Sequence, residues 1–198
     1  MSNFRIQTPS RRPIIRGVRK YSDHKPNLKI DFLSRCGYCN APDSWKTAFY
    51  EVDHFIPLKR NKKIFLTCKS ETDYSNLIYS CRSCNNAKRN KWPTDDELIP
   101  NKNDEGFVDP CDKDYILHLD RDNLGNIKAL TKLGEWMYFS MQLHKPHHQV
   151  IWQLEQLEPV IRQIKESDKL HKLPEHLKDK IIKLFVAYDN YRDELRNL

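Results

Sequence analysis

The chain has 198 residues, 38% of them hydrophobic and 31% charged, which is enough apolar material for one packed domain or a small core with an added module. No segment approaches the roughly 20 apolar residues of a transmembrane helix, and residues 1–12 lack the apolar segment of a signal peptide, so we expect a cytoplasmic protein rather than a membrane-spanning or secreted one. The formal net charge of +7 is concentrated in residues 1–93, which hold 19 Lys and Arg against 7 Asp and Glu.

The first half of the chain predicts a basic arm followed by a compact set of elements. Residues 1–26 are rich in Arg and Lys, contain three prolines and have no apolar period, which predicts an extended or poorly ordered arm. The elements expected after it are a short helix from Asn27, a strand at 45–55, a basic loop at 58–71, a strand at 76–80, and a helix from within 81–84 to Lys91.

The second half predicts a hairpin and several helices. Residues 94–106 are acidic and contain Pro and Gly, which favours a linker or surface loop. A turn-favouring segment between 115–119 and 127–130 predicts a β-hairpin. Apolar residues then recur at helical spacing to the end of the chain, which predicts three amphipathic helices. Pro159 is expected to kink or end the second of these helices, and Pro174 to lie in the first turn of the third.

Four of the six cysteines form two CxxC pairs, Cys36-Gly-Tyr-Cys39 and Cys81-Arg-Ser-Cys84, separated by a long insertion. Two such pairs can close a tetrahedral site of four thiolates, which is the ligand set of a structural Zn²⁺. In a reducing compartment disulfides are not expected, so the alternatives are buried thiols or a redox pair. The two remaining cysteines have no such partner and are expected to be ordinary thiols.

A second group of polar residues lies between and beside the cysteine pairs. Asp53 and His54 come at the end of the first predicted strand, and Asn85 directly follows the second CxxC pair. A carboxylate and an amide oxygen make a sparse oxygen site that suits Mg²⁺, which completes its shell with water and phosphate. A regular strand would direct His54 away from Asp53, so the strand must bend or end there for the imidazole to act as a base beside a phosphate. A surface acid and a packed histidine are the alternative.

These features, in this order, resemble the HNH (ββα-metal) endonuclease family, in the branch whose two CxxC pairs bind zinc. The resemblance covers residues 28–93 and rests on the first cysteine pair, Asp53-His54, Asn76-Leu77 and the segment Cys81-Arg-Ser-Cys84-Asn85-Asn86-Ala-Lys88. It implies metal-assisted hydrolysis of phosphodiester bonds in DNA, with RNA as an alternative substrate. His54 would be the general base and Asn76 a brace for its loop. Asp53 and Asn85 would bind the catalytic Mg²⁺ or Mn²⁺.

The chain departs from the family pattern at Asn85, which stands in place of the last histidine of HNH. An asparagine still offers an oxygen ligand, although it does not favour metals that prefer nitrogen. Basic side chains around the motif could grip flanking phosphates without reading base sequence, or be solvated surface charges. They are Lys59, Arg60, Lys62, Lys63, Lys88, Arg89 and Lys91.

We therefore predict an α+β fold with a small zinc-stabilised ββα-metal core, a β-hairpin and a mainly helical C-terminal region. Its parts are a basic arm at 1–26, the nuclease core at 27–93, a linker at 94–106, and the hairpin with its helices at 107–198. This last part also resembles the region that follows the nuclease in HNH proteins of Septu-like bacterial anti-phage systems. That resemblance implies a separate ATPase partner, docked on the helices of 131–198. The alternative function is a non-catalytic, zinc-containing module for nucleic-acid binding or as an adaptor.

Overall fold

The structure is a computed structural model that describes residues 4–14, 17–44, 49–167 and 173–197. The chain forms two compact units, Met1–His144 and Lys145–Leu198. Among the described residues, all the strands belong to the first unit, and the second unit contains two long helices. This mixture confirms the predicted α+β class. The boundary between the units lies at 144/145, whereas the last boundary predicted from the sequence lies at 106/107.

The centre of the first unit is a two-stranded antiparallel sheet. Strand β1 (Tyr50–His54) pairs in register with β4 (Leu77–Cys81) over all five residues of each strand. Both strands are rich in aromatic and β-branched residues, and every residue in them except Glu51 is buried. Helix α2 (Arg82–Lys88) follows β4 directly and packs on both strands. This is the predicted ββα arrangement, although residues 45–48 of the predicted first strand lie outside the described part of the chain.

The two helices beside this sheet have slightly different bounds from those predicted. Helix α1 (Lys25–Asp31) begins two residues before the predicted start, with a proline in its first turn. Helix α2 ends at Lys88, three residues earlier than predicted, because Arg89 adopts a left-handed φ of 48°.

The basic N-terminal segment uses its arginines inside the first unit. The buried Arg5 guanidinium donates to the carbonyl oxygens of Gly37 (2.7 Å) and Pro110 (2.9 Å). Arg11 forms a two-point ion pair with Asp109, at 3.0 and 3.1 Å. Charge-assisted bonds of this kind are stronger than neutral ones, so they hold this segment against the rest of the unit. The predicted arm is not extended throughout, because Tyr21–His24 form a 3-10 helix and its last two residues open α1.

The described part of this unit also contains three short hairpins. They are β2 (Lys59–Arg60) with β3 (Lys63–Ile64), β5 (Asn101–Lys102) with β6 (Glu105–Gly106), and β7 (Leu119–Arg121) with β8 (Ile127–Ala129). The first two have two-residue turns in which both residues have positive φ, as in a type I′ turn. The last is the hairpin predicted from the sequence, but it is shorter. Residues Tyr115–His118, predicted to lie in its first strand, form the single-turn helix α3 instead.

The predicted linker at 94–106 contains β5 and β6 and contacts the basic loop. The Glu97 carboxylate accepts the backbone N–H groups of Thr67 (2.7 Å) and Cys68 (3.1 Å). The hydrogen bond from the Thr67 hydroxyl, followed by these backbone hydrogen bonds, lowers the pKa of Glu97 to about 2. Residues 94–106 therefore belong to the first compact unit.

The remaining helices follow the predicted periodicity. Helix α4 (Lys132–Ser140) starts after Thr131, whose hydroxyl accepts the Gly134 N–H at 3.0 Å as an N-cap. In the second unit, α5 (Pro146–Lys165) packs against α6 (Glu175–Asn197). Helix α5 continues through Pro159, so of the two predicted possibilities, a kink or an end of the helix, the end is wrong. None of the helices in the described residues is long and apolar enough to cross a membrane.

Candidate active site

The two CxxC pairs meet in the folded chain. All four cysteines, Cys36, Cys39, Cys81 and Cys84, are buried, and their sulfur atoms lie within 4.8 Å of one another. The sulfurs of Cys39 and Cys81 are 3.8 Å apart. A tetrahedral site with Zn–S bonds of about 2.3 Å has the same separation, roughly 3.8 Å. The donor set, its burial and its spacing fit a structural Zn²⁺, as in the zinc-bearing branch of the family predicted from the sequence.

This cluster joins the turn after α1 to the junction of β4 and α2. The first pair lies in a tight turn at Gly37, where an added Cβ would come within 2.7 Å of the Phe32 ring and 2.8 Å of Ile78. The second pair consists of the last residue of β4 and a residue in the first turn of α2. A zinc ion at this place would therefore fix the start of α2 relative to the sheet.

Asp53 is held between the zinc-binding turn and α2. The Tyr38 hydroxyl donates to Asp53 Oδ2 at 2.6 Å, and the Lys88 ammonium lies 3.4 Å from the same oxygen. Burial, with the nearby Asp53 charge, raises the pKa of Tyr38 well above its usual value, so its phenol stays protonated as a donor. Both contacts are to Oδ2 rather than Oδ1.

Lys88 lies inside this site. Its side chain is fully buried, and its ammonium donates to the backbone carbonyl of His54 at 2.7 Å in addition to pairing with Asp53. Burial lowers the pKa of Lys88, while the Asp53 charge opposes that shift. A side chain enclosed in this way cannot reach a flanking phosphate, which contradicts the phosphate contact predicted for Lys88. One buried cation instead links the two residues of the Asp-His pair.

Asn85 lies in the first turn of α2 beside a residue to which the sequence analysis gave no role, Glu51. The Asn85 amide nitrogen Nδ2 donates to Glu51 Oε2 at 2.7 Å. Glu51 and Asp53 share one face of β1, because side chains two residues apart in a strand point the same way. Lys88, about one turn after Asn85, contacts Asp53 on that face. The structure thus brings Asp53 and Asn85 to the same side of the sheet.

The side chain of His54 lies on the other side of β1. Its Nε2 is 2.7 Å from the carbonyl oxygen of Glu71, and the Tyr21 ring packs edge-on against the imidazole at 4.6 Å. Because a carbonyl only accepts, Nε2 carries the proton in the neutral ring, and Nδ1 is the basic nitrogen. Burial lowers the pKa of His54, and the bond to the Glu71 carbonyl partly offsets this. β1 stays paired through His54 and ends there, so of the two predicted possibilities, a bend or an end of the strand, the strand ends.

Asn76 fixes the chain just after His54. It is buried, its Oδ1 accepts the Ile56 N–H at 2.8 Å, and its Nδ2 donates to the Ile56 carbonyl at 3.1 Å. This two-point contact restrains the backbone two residues after His54. It is the geometry that a brace for the His54 loop requires.

The other basic residues predicted to contact phosphates fall into two groups. Lys59, Lys62 and Lys63 on the β2–β3 hairpin, together with Arg89, are exposed. Two others already have partners within the first unit. Arg60 pairs with Asp95 at 2.6 Å, and the Lys91 ammonium donates to the Ser140 carbonyl at 2.7 Å.

Comparison with known proteins agrees with this geometry. Residues 36–91 match the family model for the HNH endonuclease. The matched segment begins at the first zinc-binding cysteine and ends just after α2, so it contains the cysteine cluster and the polar groups on both sides of β1. Neither the curated proteins nor the solved structures give a significant match to the chain. Residues 36–91 are an HNH endonuclease domain, of the family that hydrolyses phosphodiester bonds.

Proposed function

We propose that the protein is a metal-dependent endonuclease that hydrolyses phosphodiester bonds in DNA, with His54 as general base. The observation that supports this most is the bond between His54 Nε2 and the Glu71 carbonyl. It leaves Nδ1 as the basic nitrogen, and the lowered pKa keeps the ring neutral near neutral pH. The His54 imidazole is thus already oriented and neutral, and it lies next in sequence to Asp53, whose carboxylate suits a divalent cation.

In this proposal Asp53 Oδ1 and the Asn85 amide oxygen hold the cation, since carboxylate and amide oxygens are ligands that Mg²⁺ and Mn²⁺ accept. The bound cation would stabilise charge on the phosphate and on the leaving 3′ oxygen. His54 Nδ1 takes a proton from the attacking water. Asp53 and His54 leave β1 on opposite sides, so a phosphate at the strand end has the cation ligands on one side and the base on the other. In-line displacement needs this separation, because the attacking and leaving oxygens are opposite one another.

The proposed substrate is DNA, held through its backbone. Residues 1–93 carry a net charge of +12, from 19 basic and 7 acidic residues. The exposed Lys59, Lys62, Lys63 and Arg89 can contact phosphates on either side of the scissile bond, which positions a strand without reading its bases. RNA carries the same phosphates and is the alternative substrate.

Zinc-loaded protein should nick or cut supercoiled plasmid DNA when Mg²⁺ or Mn²⁺ is added, and should leave it intact in buffer without either ion. Gel electrophoresis over time measures this, and a parallel reaction with a long RNA separates the two substrates. The Asp53→Asn variant serves as the control for a contaminating nuclease. DNA binding without divalent-dependent cleavage would contradict the proposal and favour the non-catalytic module.

We extend the proposal to a role as nuclease effector of a Septu-like anti-phage system, acting with an ATPase partner on the helices of 131–198. Its support is the sequence resemblance of 107–198, together with exposed apolar side chains on α6. Ile182 is 60% exposed and Val186 53%, one helical turn apart, and exposed apolar residues that adjoin one another favour protein contacts. Purification of the tagged protein expressed from its native operon should retain an ATPase subunit. Loss of the partner in an Ile182→Asp and Val186→Asp double variant would locate the contact, and retention of no partner by the wild type would contradict it.

A further inference from the structure

Asn85, which replaces the last histidine of the family pattern, can serve as a metal ligand only when its amide oxygen faces the cation. The Asn85 side chain can bind a cation only through Oδ1, because Nδ2 is a donor. A rotation of 180° about the last side-chain bond exchanges these two atoms at nearly the same volume. A site that relies on Asn85 therefore needs something that holds the amide in one of its two orientations.

Glu51 meets this need. An ionised carboxylate only accepts hydrogen bonds, so the amide end that faces Glu51 Oε2 at 2.7 Å has to be Nδ2. Oδ1 is then directed away from Glu51. Glu51 itself is half-buried and has a second contact, with Arg82 Nε 3.6 Å from its other oxygen. The acceptor is thus restrained from two sides.

We propose that Glu51 is a positioning residue, which holds the Asn85 amide with its oxygen turned to the cation that Asp53 and Asn85 share. The inference rests on the proposed function and deepens it, since it explains how a chain without the family histidine keeps an ordered ligand. Partners that orient metal ligands typically contribute about 10- to 100-fold to metal affinity or activity. The competing role for Glu51 is that of a third ligand, acting through its own charge.

Substitutions at Glu51 separate orientation from charge. Glu51→Gln keeps an acceptor oxygen for Asn85 Nδ2 and loses the charge, whereas Glu51→Ala loses both. We expect E51A to weaken Mn²⁺ binding to the zinc-loaded protein by about 10- to 100-fold, and E51Q by less than about fivefold. Titration followed by electron paramagnetic resonance measures free Mn²⁺ directly. Glu105→Ala, an exposed glutamate in β6 of the same unit, is the matched control and should bind Mn²⁺ as the wild type does.

A second pair of variants tests whether Glu51 acts through Asn85. Asn85→Asp replaces the amide with a group whose two oxygens are equivalent, so no orientation is needed, and it places two like charges side by side. In the N85D background, replacing Glu51 with Ala should therefore leave Mn²⁺ affinity unchanged or raise it. With Asn85 present, the same replacement is expected to lower Mn²⁺ affinity. Equal zinc content in all variants shows that the fold is kept.

The outcomes distinguish the inference from the proposed function. E51Q as damaging as E51A, or E51A equally damaging with Asn85 and in the N85D background, would overturn the positioning role in favour of a ligand role. An E51A variant that binds Mn²⁺ like E105A would overturn it as well. The wild type could bind Mn²⁺ more tightly than E51A by the expected factor, with E51Q close to the wild type, and still cut neither DNA nor RNA. In that case the positioning role stands and the nuclease proposal fails.

Discussion

Replacing His54 with Ala should lower the rate of DNA cleavage by about 10²- to 10⁴-fold at saturating Mg²⁺ or Mn²⁺, which is the range that a positioned general base contributes. The Glu71 carbonyl orients the ring of His54, and the substitution removes this preset proton acceptor beside the strand end. Single-turnover cleavage of a labelled duplex measures the chemical step. Since the imidazole lies on the face of β1 away from Asp53, Mn²⁺ affinity should change little.

A matched variant and a pH profile make this result specific. His118→Ala removes another imidazole from the same unit, whose Nδ1 contacts Thr131 rather than the strand end, and should cut as the wild type does. Wild-type cleavage should fall as pH drops, because protonation removes the base. Burial lowers the pKa of His54, so this fall should have its midpoint below the ordinary value of about 6.5 and should be absent from the residual rate of H54A. If H54A cuts as fast as H118A, His54 is not the base.

The sequence was sufficient for the parts of the site that depend on local spacing. Two cysteines three residues apart fit one tight turn, so the zinc cluster follows from the pattern once a second pair is present. The ββα order also follows, because two segments of aromatic and β-branched residues precede the cysteine pair that opens α2.

Contacts between residues distant in sequence were not predictable from local patterns. Lys88 belongs to a run of basic residues of the kind that is usually exposed. Only the packing of α2 on β1 shows that its ammonium is paired with the Asp53 carboxylate. The N-terminal arginines are similar: Arg5 occupies a buried place against the ring of Tyr115 at 4.3 Å. Tyr115 itself also explains the misplaced strand, because its hydroxyl donates to the Tyr38 carbonyl at 2.8 Å from a helical turn. Both Arg5 and Tyr38 are far from Tyr115 in the sequence.

Replacing Cys39 with Ser should abolish stoichiometric zinc binding and unfold the HNH domain at 36–91. Structural zinc contributes on the order of 10 kcal/mol or more to the folding of small domains, which is comparable with the whole stability of a typical domain. The effect should extend to the active site, because Tyr38 lies between Cys36 and Cys39 and donates to Asp53. Zinc content by atomic emission, thermal unfolding by circular dichroism and cleavage activity should therefore fall together.

Cys68→Ser is the matched control, since Cys68 is exposed and outside the cluster, and it should leave zinc content and thermal stability unchanged. The comparison also tests the alternative of four buried thiols without metal. A serine in place of a buried thiol that serves only as a small apolar group costs about 1–3 kcal/mol for its unsatisfied hydroxyl, a partial loss of stability with no change in zinc. If C39S unfolds fully and loses its zinc while C68S is unaffected, the Cys39 thiolate binds the metal. A C39S variant that keeps its zinc and melts like C68S would exclude the four-cysteine site.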